Sequence, residues 1–116
     1  MMQTKTAGPG SFSGFDLSSV PSPCFVTDLA RLEDNLRLLN VVTEASGAHI
    51  LTALKAFSLW STAPLVSRYL SGACASGLYE ARLARAHYSG LVSCFAPAYK
   101  TDEMDELAGL CDHIIS

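Results

Sequence analysis

The sequence lacks any continuous apolar stretch near the 20 residues that a membrane-crossing helix needs, so no bilayer span is expected. Its first twenty residues hold one lysine followed by Gly, Ser and Pro, without the apolar centre of a secretory signal, and no such leader is expected. Excess positive charge is missing too: 8 Lys+Arg stand against 11 Asp+Glu, a net charge of −3, with no basic stripe to neutralise a phosphate backbone. Nucleic acid is therefore not an expected partner. The four cysteines, Cys24, Cys74, Cys94 and Cys111, match neither a zinc pattern nor a redox pair. Reduced, mostly buried thiols in a cytoplasmic protein, with no bound metal, are the expectation.

What is present is enough apolar character, 49% of residues, to build a core. Residues 1–20 are rich in Gly, Ser and Thr and predict a flexible lead-in, with one folded domain expected over 21–116. After Pro21 and Pro23, the short apolar run Cys24–Thr27 is expected as a buried first strand, with Asp28 capping a helix. Leu29, Leu32, Leu36 and Leu39 recur in steps of three and four and predict that helix to about Ala45, closed by Gly47.

Residues 49–54 are the expected second strand, and Ser61 with Pro64 opens a second helix reaching Gly72. A short strand at Ala73–Ala75 precedes the Ala-, Leu- and Arg-rich helix Leu78–His87. Leu91–Ala96 is expected as a fourth strand, Asp102–Leu110 as a fourth helix, and His113–Ile115 as the start of a fifth strand. Apolar strands separated by single helices imply an α/β fold with a parallel sheet, either doubly wound or closed into a barrel. A full barrel takes about 250 residues and eight units, so under that reading the chain is truncated after about four β-α units.

In such folds chemistry sits at the carboxyl ends of the strands. Lys55 ends an apolar strand, where an ammonium is costly unless it is paired, exposed or used. A desolvated lysine becomes an amine nucleophile able to form a Schiff base; the plainer reading is a rim lysine snorkelling to water. Ser76 and Gly77 stand at the start of a helix, suited to an anion or simply to capping, with Glu80 close by as a solvated first-turn acid. Tyr99 and Lys100 lie in the loop after Pro97, and Lys100 reads as a surface charge on a turn. His49, His87 and His113 do not fall at one rim and make no convincing metal set, and Cys111 near His113 reads as packing.

Five ordered blocks carry a resemblance: Pro23–Val26, Ala53–Ser58, Ala75–Leu83, Ser93–Lys100 with Asp102–Met104, and Asp112–Ser116. Together they resemble carboxynorspermidine (carboxyspermidine) decarboxylase, from about Ser19 to the last residue. That family is similar to the diaminopimelate and ornithine decarboxylases, and the resemblance implies the N-terminal portion of an alanine-racemase-type (β/α)8 TIM barrel that is followed by a β-domain. It implies that Lys55 holds pyridoxal 5'-phosphate and that the reaction is decarboxylation in polyamine synthesis; Ser76, by its place at a helix start, is a further candidate for binding that cofactor. Ala73 stands where the ornithine-type relatives carry an acid, which favours the carboxynorspermidine branch.

The resemblance further implies homodimers when full length. The histidine stacking on the cofactor ring, the glycine-rich phosphate loop, the acid facing the pyridine nitrogen and a proton-donating cysteine are all expected beyond Ser116. None of the four cysteines here takes that last role. The alternatives are a non-catalytic pyridoxal-phosphate carrier, a diaminopimelate-type decarboxylase, or a partial product that is inactive alone.

Overall fold

The computed structural model describes Phe12 and residues 15–116. Most of the lead-in therefore lies outside the described residues; at its end Asp16 accepts from the Ser18 backbone N–H at 2.9 Å and caps one 3-10 turn, Leu17–Ser19.

Helix α1 spans Leu29–Ser46. The Asp28 carboxylate accepts from the Arg31 N–H at 3.1 Å, and Gly47 closes the helix with φ 70°, a left-handed conformation that favours glycine. Leu36 is buried and Leu32 packs against the same core, as the three-and-four spacing predicts. Leu39 is left 39% exposed, and Leu38, Val41 and Val42 form a second apolar stripe open to solvent.

Strand β1 is Leu51–Ala53, α2 Ala63–Val66, β2 Gly72–Ala75, α3 Leu78–His87, β3 Leu91–Phe95, α4 Met104–Leu110 and β4 His113–Ile115. The four strands form one parallel sheet in the order β1-β2-β3-β4. Parallel neighbours taken in sequence are joined by crossovers of one hand, which puts every connecting helix on the same face; a doubly wound sheet instead needs the order to reverse. Burial follows that rule. Leu54, Ala73, Ala75, Val92 and Cys94 are buried together with Leu36, Val66, Leu70, Leu78, Ala81 and Leu107 of the helical layer. The sheet is singly wound and open, and among the described residues neither β1 nor β4 has a strand on its outer edge.

Three expectations are corrected. Cys24–Thr27 is not a strand: it is irregular, Phe25 is fully exposed, and no strand pairs with it. The run is apolar, but α1 starts at Leu29, immediately after Asp28, and β1 takes its only partner from β2. Lys55 therefore follows the first strand of the sheet rather than the second, and His113–Ile115 is the fourth strand rather than the fifth. The second helix is one turn long instead of reaching Gly72, because the chain loosens to i,i+3 bonds at Arg68 and Tyr69 while Ser67 Oγ accepts from the Ser89 N–H. Nor are all the cysteines core: Cys94 is buried, but Cys24 lies on the irregular segment and is exposed, and Cys74 and Cys111 are half-buried.

The amino end of the sheet is tied by Asp112. Its carboxylate accepts from the Val92 N–H at 2.7 Å and from Arg85 Nη2 at 2.8 Å, while Arg85 also donates to the carbonyls of Leu110 and Gly90. The Val92 N–H first, and Arg85 after it, hold the Asp112 carboxyl below its usual range. Gly72 makes close β2–β3 pairing possible: a Cβ there would sit 1.9 Å from the Leu91 carbonyl oxygen.

Candidate functional site

The register aligns Ala53, Cys74, Ser93 and His113 across the four strands. Two residues further on lie Lys55, Ser76, Phe95 and Ile115, all at the carboxyl edge: Phe95 and Ile115 end β3 and β4, whereas Lys55 falls in the turn after β1 and Ser76 just past the end of β2. Leu54, Ala75 and Cys94 are buried, whereas Lys55, Ser76, Phe95 and Ile115 are exposed. Leu54 keeps the end of β1 attached by donating its N–H to the Cys74 carbonyl at 3.0 Å, and the chain turns at once, with Ala56 and Phe57 N–H groups returning to the Ala53 carbonyl. Lys55 is thus held by a short rigid strand and a tight turn. No hydrogen bond or ion pair reaches its ammonium among the described residues.

Ser76 is the next polar side chain on that edge. Its backbone N–H is already taken by the Glu80 carboxylate at 2.7 Å, a reach-back contact that caps α3, so the group left to meet a ligand is the hydroxyl. Glu80, expected as a solvated acid, has this structural role instead. Lys100 differs from Lys55 in having a partner: Glu103 Oε1 lies 3.2 Å away and raises the lysine's pKa, which keeps it a charged ammonium.

Tyr99, in the loop after Pro97, clasps the same edge. Its hydroxyl lies 3.0 Å from the Ala96 N–H, 3.0 Å from the Cys94 carbonyl and 2.7 Å from the Ile115 carbonyl, joining the ends of β3 and β4. Burial, first, raises its pKa, so it stays a neutral donor. Nothing in the local sequence marks this role, since Ile115 is sixteen residues away.

The three histidines remain apart: His49 meets Ser71 Oγ at 3.2 Å, His87 stacks on Trp60 with ring centroids 5.9 Å apart, and His113 Nδ1 lies 3.4 Å from Ser93 Oγ. The described residues contain no group of three or more His, Cys, Asp or Glu arranged to hold a metal ion. No described helix is long and apolar enough to cross a membrane.

No protein-family profile matches the chain. Individual proteins do. The chain is 38% identical over 98 residues to the carboxyaminopropylagmatine decarboxylase of Synechocystis sp., covering 84% of this chain and 25% of that protein. It is 36% identical over 96 residues to the carboxynorspermidine/carboxyspermidine decarboxylase of Campylobacter jejuni, covering 83% of this chain and 25% of the relative. The crystal structure of carboxynorspermidine decarboxylase from Campylobacter jejuni, complexed with norspermidine, superposes with a TM-score of 0.72 at 40% sequence identity, covering 73% of this chain and 23% of that one.

The proteins it resembles in both sequence and fold are decarboxylases. Among them, it is homologous to part of the carboxynorspermidine/carboxyspermidine decarboxylases. It spans about a quarter of the length of the relatives it matches.

Proposed function

We propose that this chain carries the cofactor lysine of a pyridoxal-phosphate-dependent enzyme that removes carbon dioxide from carboxynorspermidine or carboxyspermidine, releasing norspermidine or spermidine in polyamine synthesis. The observation that supports the reading is the position of Lys55: an exposed amine in the turn at the carboxyl edge of the sheet, with no partner among the described residues. The homology to decarboxylases supports it.

The residues present fit the cofactor. Lys55 would be its point of attachment, the Ser76 hydroxyl would face it from just past the adjoining strand, and Phe95 and Ile115 would supply apolar wall at the same edge. Pyridoxal phosphate, when bound, supplies an electron-withdrawing ring that takes up the electron pair left by carbon dioxide. This chain's own contribution is to hold an amine at a fixed strand end and, once that edge is covered, to keep water from it. Lys100, in contrast, is paired with Glu103 at 3.2 Å. Closure of the sheet into a full (β/α)8 barrel, a cytoplasmic location and a full-length homodimer belong to the same proposal.

The sequence contains three lysines, Lys5, Lys55 and Lys100, which makes the assignment easy to test. Pyridoxal phosphate is added, the adduct is fixed with borohydride, and the modified peptide is found by mass spectrometry. The label is expected on Lys55 and should vanish in Lys55→Ala. Labelling of Lys100 instead, or equal labelling of all three lysines, would overturn the assignment.

A further inference from the structure

We propose that the groove between α1 and α2 is a binding site, separate from Lys55, for an aliphatic α-amino acid. The groove has a volume of about 630 Å³, a size suited to a small molecule. Leu29, Ala30 and Glu33 of α1 line it on one side, and Pro64 and Leu65 of α2, with Arg68 just beyond, on the other. It lies between two successive helices of the chain, so neither edge strand of the sheet takes part in it. Four of these side chains are apolar and two carry opposite charges.

Tyr69 holds both charges in place. Its hydroxyl donates to Glu33 Oε1, and the Arg68 guanidinium carbon lies over its ring, 5.9 Å from the centroid. Arg37 donates to the same Glu33 oxygen at 2.9 Å. The Tyr69 hydrogen bond first, and Arg37 and Arg68 after it, hold the Glu33 carboxyl below its usual range, so it is an anion at neutral pH. Each charge keeps unused capacity. All three contacts to Glu33 fall on Oε1, and among the described residues no hydrogen bond reaches Oε2. Arg68 lies 3.9 Å from Glu33 Oε1, beyond hydrogen-bonding distance, and its side chain is 64% exposed. An ammonium is therefore attracted to Oε2 and a carboxylate to the guanidinium beside it. A ligand with one charge would meet a like charge next to its partner: a simple amine faces Arg68, and a simple carboxylate faces Glu33. A zwitterion with both groups on one carbon satisfies the two together through charge-assisted hydrogen bonds. Its aliphatic side chain is then covered by Leu29, Ala30, Pro64 and Leu65.

The test is a titration of the isotope-labelled 116-residue chain, followed by two-dimensional nuclear magnetic resonance, with norleucine, pentylamine and hexanoate as probes. Norleucine should give saturable shifts confined to the amides of residues 29–33 and 61–68. Pentylamine lacks the carboxylate and hexanoate the ammonium, and each should bind about tenfold more weakly or worse. Arg68→Gln, at an exposed position, should keep the spectrum of a folded chain and lower norleucine affinity to that of pentylamine. Arg82→Gln removes the same charge from α3 and should leave norleucine binding unchanged. The proposal is overturned by an absence of saturable shifts with norleucine, by equal binding of either single-charge probe, or by shifts spread away from the groove. It is overturned equally by an Arg68→Gln variant that binds like the parent, or by an equal loss in Arg82→Gln.

Discussion

Leu54 and Lys55 are adjacent in sequence and should respond to truncation in opposite ways. Leu54 is 2% exposed and belongs to a buried cluster with Ala63, Ala73 and Ala84, whose short side chains cannot refill a void. Leu54→Ala removes buried carbons and leaves a cavity, which costs about 2–5 kcal/mol. With a urea dependence of about 2 kcal/mol per molar, that lowers the unfolding midpoint by roughly 1–2.5 M. Lys55→Ala, at an exposed position without partners among the described residues, should change stability by no more than about 0.5 kcal/mol while removing the attachment point for the cofactor. Urea unfolding followed by far-ultraviolet circular dichroism measures both. If Leu54→Ala is too unstable to titrate, Leu54→Met, which nearly conserves volume, should cost less than about 1.5 kcal/mol and restore a measurable transition. Similar losses at the two positions, or the larger loss at Lys55, would refute the placement of Leu54 in the core and Lys55 at the exposed carboxyl edge.

Two glycines should differ in the same manner. Gly72→Ala drives a Cβ into the Leu91 backbone and should prevent β2 from pairing with β3, read as loss of the cooperative unfolding transition. Gly47→Ala meets nothing within 4 Å and carries only the penalty of φ 70°, about 1–2 kcal/mol in the midpoint shift. The pH dependence follows from Asp112, whose carboxyl is held below its ordinary value in the folded state, chiefly by the Val92 N–H. Its stabilising contribution is complete above the unfolded value of about 4 and is lost as pH falls through the lower folded value. Asp112→Asn should therefore flatten the fall in melting temperature between about pH 4 and pH 2 without removing it, since Glu33 and Glu106 are lowered as well. An unchanged acid limb in the variant would show that the carboxylate does not act there.

Much of this protein was legible in its residues, because the relevant signals are local. Spacing and caps identified α1 from Asp28 to Gly47 and α3 from Leu78 to His87, and the short apolar runs marked the strands. Periodicity also singled out Lys55 as a polar residue ending an apolar strand. It misplaced Cys24–Thr27 because a strand is defined by its partner, and apolar residues alone do not provide one.

Sequence by itself determined the alternation of helices with strands and the resemblance that made Lys55 a cofactor candidate. Only the tertiary structure decided that the sheet is singly wound, that Lys55 and Ser76 lie at the same carboxyl edge, and that Tyr99 joins the ends of β3 and β4. Strand order and cross-strand register arise from contacts between residues about twenty positions apart, and no local pattern encodes those distances.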